Sequence, residues 1–274
     1  MPKLKSLKIG IVGCGAIGSR IAKSITHELK ASCQLTGLYD IDTQKSQDVA
    51  QQLKQKKAVK SSFSELLKSC DLMVEAVNAT DTHTIIEQAL KAKRHVLAMS
   101  VGKLLNALDL FRLARKNHCN ILIPSGAIAG IDAIKAVRLA KINKITLTTR
   151  KPLAGFIHTP YVIQNKIDLT KIHQETVIFE GNVDTAVKFF PQNINVAATV
   201  SLAAHAQDKL TVRIITSPSY TKNIHEVEVT GDFGRIVTRT ENEVCPDNPK
   251  TSYLAVLSGI QTLQEFCTQV KIGT

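Results

Sequence analysis

The chain has no tryptophan, and only 4% of its 274 residues are aromatic. Its core must therefore rest on Ile, Leu, Val and Ala, which a 44% hydrophobic fraction supplies in quantity. Charged residues make up 21%, too few for wholesale disorder. No apolar run reaches the roughly 18 residues that a membrane span needs, so no membrane partner is expected. The six cysteines, Cys14, Cys33, Cys70, Cys119, Cys245 and Cys267, form no Cys-x-x-Cys pair. That argues against zinc and dithiol chemistry, and several sit in apolar runs as small hydrophobes. Such usage fits a reducing cytoplasm, the expected location. The basic start, Met1 to Lys8, leads into a strand broken by glycines rather than into the apolar centre of a signal peptide. No His-x-x-x-His or mixed His/carboxylate cluster suggests a metal.

The formal net charge is +12. The lysines are scattered, and there is no arginine-rich arm, zinc-finger spacing or aromatic RNA platform. The charge is read as solubility and steering of small anions, with no nucleic-acid partner.

What is present is a change of grammar near Pro124. Before it, short apolar runs alternate with helical spacing: strands at Leu7–Val12, Leu35–Tyr39, Leu72–Val77, His95–Val101 and Ile121–Ile123, and helices at 16–29, 43–53, 82–91 and 107–116. This pattern predicts an α/β domain over 1–124, a parallel sheet covered on both faces. After it come a helix at Ile131–Leu139 and strands at Ile145–Thr149, Glu175–Phe179, Val212–Thr216, Val227–Val229 and Arg235–Thr240. The last two are joined by a turn with Gly231, Asp232 and Gly234. With helices at Val183–Phe189 and Ile194–Ala206, residues 125–249 read as a smaller mixed α+β catalytic domain. Tyr253, Leu254, Leu257, Ile260 and Leu263 form one face of a final helix within 250–274, which is expected to return to the first domain.

The strongest motif is Gly13-Cys14-Gly15-Ala16-Ile17-Gly18. A strand precedes it, a helix follows it, and an acid, Asp40, closes the next strand about 20 residues on. Gly13 permits the turn, Gly15 lets a pyrophosphate approach the backbone, and Gly18 lets the helix pack on the sheet. The amides near Ala16 and Ile17 then face the anion at the helix N-terminus. This is the fingerprint of a Rossmann dinucleotide-binding sheet. Asp40 would accept hydrogen bonds from the adenosine ribose, favouring NAD, while nearby Lys45 leaves NADP open. The bland alternatives are a plain glycine turn and a strand-terminal Asp.

Several later segments carry a family likeness. They are Pro124-Ser125-Gly126-Ala127-Ile128-Ala129-Gly130-Ile131-Asp132, Thr148-Thr149-Arg150-Lys151-Pro152 and Phe179-Glu180-Gly181. They continue with Phe190-Pro191-Gln192-Asn193-Ile194-Asn195-Val196-Ala197-Ala198, Asn223-Ile224-His225-Glu226 and Pro246-Asp247-Asn248-Pro249-Lys250-Thr251-Ser252-Tyr253. In their order and spacing the chain resembles the L-aspartate dehydrogenase family over nearly its whole length. The resemblance implies oxidative deamination of L-aspartate to iminosuccinate with NAD or NADP. The imine would then hydrolyse to oxaloacetate and ammonia, or be handed to quinolinate synthase for NAD biosynthesis. It also implies a catalytic histidine at His225 and cofactor contacts at Ala129 and Asn195.

The residues themselves add the following. His225 starts a strand whose face continues through Val227 and Val229, so the imidazole is expected to look inward. It reads as a proton acceptor for the amine or for a hydrolytic water, or alternatively as a buried histidine bonded to backbone. Asn195 can offer an amide near a helix start, with Asn193 as the helix cap. Ala129 is small enough for close backbone approach. Two substrate carboxylates need donors, and Arg150, Lys151, Lys222 and Asn223 are the candidates. His83 follows Asn78-Ala79-Thr80, near the expected nicotinamide ribose. A homodimer is expected by analogy with mixed-sheet domains. Two other readings stay open: a dehydrogenase or reductase for a sugar, homoserine or dihydrodipicolinate-like substrate, and an NAD(H) redox sensor.

Overall fold

The computed structural model describes residues 6–77, 81–190, 194–246 and 248–273. The segment 78–80, the proposed cap Asn193 with 191–192, and Asp247 lie outside them. The chain divides into two compact units, Met1–Pro124 with Val256–Lys271, and Ser125–Ala255 with Ile272–Thr274.

The first unit runs β1 (Leu7–Val12), α1 (Ala16–Thr26), β2 (Cys33–Tyr39), α2 (Thr43–Gln52), α3 (Phe63–Ser69) and β3 (Leu72–Glu75). It continues with α4 (Thr82–Lys91), β4 (His95–Ala98), α5 (Leu108–Lys116) and β5 (Ile121–Leu122). The strands form one sheet in the order β2-β1-β3-β4-β5, every pair parallel. Parallel strands buried on both faces must be apolar throughout, and Ile9, Ile11, Leu72, Met73, Val74, Val96 and Leu97 are all fully buried. The order reverses between β1 and β3, which puts the ligand crevice outside their carboxyl ends.

Two details depart from the sequence reading. The helix α3 was not expected, yet Ser62 caps it by accepting from the Glu65 amide at 3.2 Å. The Glu65 carboxylate reaches back to the Ser61 amide at 3.0 Å, so the turn is locked from both sides. The last helix of the chain, α10 (Tyr253–Cys267), buries Val256, Gly259, Ile260 and Leu263, whereas Leu254 and Leu257 are over a third exposed. Its packed stripe is thus rotated from the expected face, because Gly259 permits a close approach: an added Cβ there would lie 2.8 Å from the Met99 sulfur.

The second unit runs α6 (Ile131–Val137), β6 (Ile142–Pro152), α7 (Pro160–Gln164), β7 (Thr176–Asn182), α8 (Val183–Phe189) and α9 (Ile194–Ala204). Then come β8 (Leu210–Ser217), β9 (Asn223–Gly231), β10 (Gly234–Asn242), a small ladder of β11 (Val244–Cys245) and β12 (Asn248–Ser252), and the start of α10 (Tyr253–Cys267). Its main sheet has the order β10-β9-β6-β8-β7. Only β6 and β8 pair parallel, so the sheet is mixed. Gly231 pairs with Gly234 across a two-residue turn, and Gly234 takes the left-handed φ of +105°. Ile145, Leu147, Val212, Ile214, Val227 and Val229 share one buried face. The scarce aromatics concentrate here: Tyr161, Phe179 and Phe190 meet with ring centroids 5.1–5.4 Å apart. The fold is α/β, a parallel Rossmann-like sheet followed by a mixed-sheet unit.

Candidate active site

In the first unit the loop after β1 supplies a cradle. Gly13 has φ +91°, and a Cβ there would sit 2.4 Å from the Ala76 carbonyl oxygen. A Cβ on Gly18 would sit 1.9 Å from the Gly13 oxygen. These two glycines are demanded by packing. Gly15 differs: it is exposed, and an added Cβ meets nothing within 4 Å. Gly15 also caps α1 without any side-chain hydrogen bond, and the first turn of α1, from Ala16 and Ile17, carries no acid. An anion set against this helix start would therefore meet backbone amides and the positive end of the dipole. Asp40 accepts from the Cys14 amide at 2.7 Å and from the Asp42 amide at 2.9 Å, so the loop and the acid form one rigid piece. Lys45 pairs with Asp42 at 3.6 Å. The residues present fit a dinucleotide diphosphate.

In the second unit His225 lies on β9, opposite Thr149 of β6. Both are buried, and the Thr149 hydroxyl is 3.0 Å from Nδ1. Lys151 lies two residues along β6, hence on the same face, and burial pushes its ammonium down to about 8. Burial, and after it the Lys151 charge, push the imidazole down to about 3. The imidazole is neutral at physiological pH. Asn223 shares this face and pairs in register with Asn242. The buried Asn242 donates to the Ala127 carbonyl at 3.1 Å, and its Oδ1 has no hydrogen-bond partner among the described residues.

The turn 125–130 is fastened to β10. Thr240 donates to the Ala127 carbonyl at 2.7 Å and Thr238 to the Ala129 carbonyl at 3.1 Å. Gly130, at φ +77°, lies where a Cβ would strike Thr238 at 2.6 Å. Ala129 is exposed beside it. Asn195 is exposed in the first turn of α9, and its carbonyl accepts from Thr199 at 2.9 Å.

Other candidates are placed differently. Arg150 and Lys151 were grouped as carboxylate donors, but neighbours on a strand face opposite ways. Arg150 lies on the far face, 3.6 Å from Glu226 and 3.8 Å from Glu175. Lys222 is exposed and bound to Glu243. His83 is exposed and 2.8 Å from Asp109. The reading of the sequence passed over Thr149, Asn242 and the fully buried Glu75. Glu75, at the end of β3, accepts from the Ser100 amide at 3.0 Å, the Ser100 hydroxyl at 2.8 Å and the Val77 amide at 3.0 Å. It knits together the chain leaving β3 and β4. A lone acid closing an apolar strand was the available signal.

A glycine-cradled parallel sheet, followed by a mixed sheet with a buried neutral imidazole beside a lysine, has the parts of a two-unit nicotinamide-dinucleotide-dependent dehydrogenase. Residues 132–266 match the family described as aspartate dehydrogenase, C-terminal, and residues 13–124 match that described as homoserine dehydrogenase, NAD binding domain. The chain is 45% identical to the L-aspartate dehydrogenase of Methanosarcina mazei and 43% to that of Methanosarcina acetivorans. Each comparison covers 98% of this chain and 100% of the relative. The crystal structure of aspartate dehydrogenase from Thermotoga maritima has the same fold, with a TM-score of 0.72 at 22% identity over 98% of this chain and 100% of that one. This chain belongs to the L-aspartate dehydrogenase family.

Proposed function

We propose that the protein catalyses oxidative deamination of L-aspartate to iminosuccinate with NAD or NADP, and that His225 is the proton acceptor. The bound nicotinamide supplies the hydride acceptor for the substrate Cα–H. Residues of this chain do the rest. The amides at Gly15, Ala16, Ile17 and the flanking Gly13 and Gly18 hold the diphosphate, and Asp40 accepts from the ribose. Ala129 and Asn195 serve as further cofactor contacts.

The observation that carries the reading is the pair of His225 and Thr149, with Lys151 on the same face. As hydride leaves Cα, the nitrogen lone pair forms the C=N bond and an N–H proton must depart. With Nδ1–H donated to Thr149, His225 Nε2 holds the lone pair that takes this proton. Burial first, and the Lys151 charge after it, hold that nitrogen weakly basic. A substrate carboxylate paired with Lys151 cancels that charge, so the base strengthens as the dicarboxylate binds. Asn223 donates to the other carboxylate, and Asn242 Oδ1 offers the amine a buried acceptor. Arg150 and Lys222, held by their carboxylate partners, contribute charge at longer range. The same imidazole is suited to activating water on the imine if hydrolysis to oxaloacetate and ammonia occurs on the protein.

A homodimer is part of this reading. The far face of the second sheet carries Arg150, Glu226, Glu228, Arg235, Arg239 and Glu241, with exposed Val177 and Val237 among them. Such a mixed charged and apolar face suits a second copy. A cytoplasmic site and delivery of the imine to quinolinate synthase accord with the chemistry. Among the described residues no helix is long and apolar enough to cross a membrane.

The test is cofactor reduction followed with a panel of L-amino acids and polyols. Reduction with aspartate alone is the expected result; activity on homoserine or a polyol instead would overturn the substrate. His225→Ala should lower kcat/KM for aspartate by about 10²–10⁴-fold with the cofactor Kd within about twofold. Normal turnover in that variant would remove His225 from the mechanism.

A further inference from the structure

Two cysteines far apart in sequence meet in the first unit. Cys33 opens β2, and Cys267 is the last residue of α10. Their sulfurs lie 3.3 Å apart across 234 residues of chain. That is nearer than ordinary sulfur contact, and closing to a disulfide needs a shift of only about 1.3 Å. The surroundings hold both partners in place. The Cys33 amide donates to the Leu29 carbonyl at 2.8 Å, and Phe266, beside Cys267, packs on His95 with ring centroids 5.2 Å apart. The other four cysteines are free as well, and none of the described contacts joins two of them.

We propose that Cys33 and Cys267 are a peroxide-reactive thiol pair that closes to a reversible disulfide and clamps the final helix to the first sheet. The two sulfurs have unequal roles. Cys33 is 3% exposed, whereas Cys267 is partly open to solvent. The two sulfurs share one hydrogen bond that either can donate, and this contact, with the positive charge of Lys271, moves the more exposed Cys267 thiol below the usual thiol range. The Cys267 thiolate attacks a peroxide oxygen, breaking the O–O bond, and becomes a sulfenic acid as hydroxide leaves. The Cys33 sulfur then displaces the sulfenic oxygen, forming S–S and releasing water. Two thiols lose two electrons and two protons, and one peroxide becomes two waters. Burial of Cys14 and Cys70 raises their thiols, to about 12 and about 11, which leaves them poor competitors.

The experiment treats the whole, reduced protein with hydrogen peroxide, quenches free thiols, and maps peptides without reduction. The expected result is one crosslink, between the peptides of Cys33 and Cys267, with a mass loss of two hydrogens and reversal by dithiothreitol. The crosslinked protein should melt about 5–10 °C higher, since a long loop is closed. In Cys33→Ser the sulfenic acid should persist on Cys267 and be trapped by dimedone; in Cys267→Ser, Cys33 should stay reduced. Free thiols at both positions, a crosslink elsewhere, or over-oxidation of Cys267 with Cys33 untouched would overturn the pair. A crosslink with an unchanged Tm would overturn the clamp. The wild-type map decides the matter even if either serine variant folds poorly.

Discussion

The Thr149 hydroxyl has one described side-chain partner, the Nδ1 of His225, and both groups are buried. A buried imidazole without such a partner would turn or change tautomer, and the nitrogen facing the substrate would lose its lone pair. Thr149→Val keeps shape and removes the hydroxyl. We expect kcat to fall about tenfold with the aspartate KM within about twofold, and Thr149→Ser to restore most of it. A KM change without a kcat change would mean that Thr149 only fills space. Lys151 makes the opposite kind of prediction. Burial lowers its ammonium from 10.5 to about 8, so the charged form opposes folding at neutral pH. Lys151→Met should raise stability by about 1–3 kcal/mol in denaturant melts while raising the aspartate KM by at least about tenfold. At this scale the sequence was only partly legible. His225 stood out because the family resemblance singled it out; its apolar strand face alone left a buried histidine bonded to backbone as an open alternative. Thr149 did not, because a threonine in a strand is ordinary until its partner across the sheet is known. The opposed directions of Arg150 and Lys151 were legible from strand alternation alone, once the strand was seen to run on to Pro152.

The loop between β1 and α1 separates what glycine does for packing from what it does for a ligand. Gly13→Ala and Gly18→Ala each drive a methyl into a backbone carbonyl, and Gly13 also has a left-handed φ. Each should destabilise by about 2–4 kcal/mol, read as a lowered denaturation midpoint. Gly15 has an unstrained φ of −72° and open space where its Cβ would go. Gly15→Ala should leave stability within about 1 kcal/mol yet weaken NAD binding by at least about tenfold, measured by titration calorimetry. Equal binding by wild type and Gly15→Ala would mean that the cradle holds something else. The motif announced this loop because its three glycines answer to fixed geometry. The helix α3 escaped because a helix of seven residues, about two turns, shows little periodicity, although Ser62-Phe63-Ser64-Glu65 carried its capping signature. The parallel pairing of β6 with β8 was also out of reach, since periodicity finds strands but not their neighbours.

At the scale of the molecule, three ionisable groups, Glu75 and His225 buried and Lys151 half-buried, set how stability follows pH. Glu75 is raised by burial and Lys151 lowered, so both charged forms oppose folding at neutral pH, while the neutral His225 does not. Acid reverses the position of His225. An unfolded histidine takes up a proton near pH 6.5, but the folded one waits until about 3. The unfolded state therefore binds more protons throughout that interval, and stability falls as pH drops, by about 1.4 kcal/mol per unit. The net charge of +12 adds self-repulsion in the same direction, so the wild-type curve alone cannot isolate the imidazole. The difference between wild type and His225→Gln can, because the background charge nearly cancels. That difference should be flat above pH 7 and should turn against the wild type between pH 6.5 and 4. Lys151→Met should weaken the same trend, because removing the lysine charge lets the folded imidazole protonate at a higher pH. Urea melts of the three proteins across pH 4–8 measure this directly. Parallel curves for wild type and His225→Gln would show that the imidazole is solvated and charged as in water, which would end its assignment as a buried neutral base.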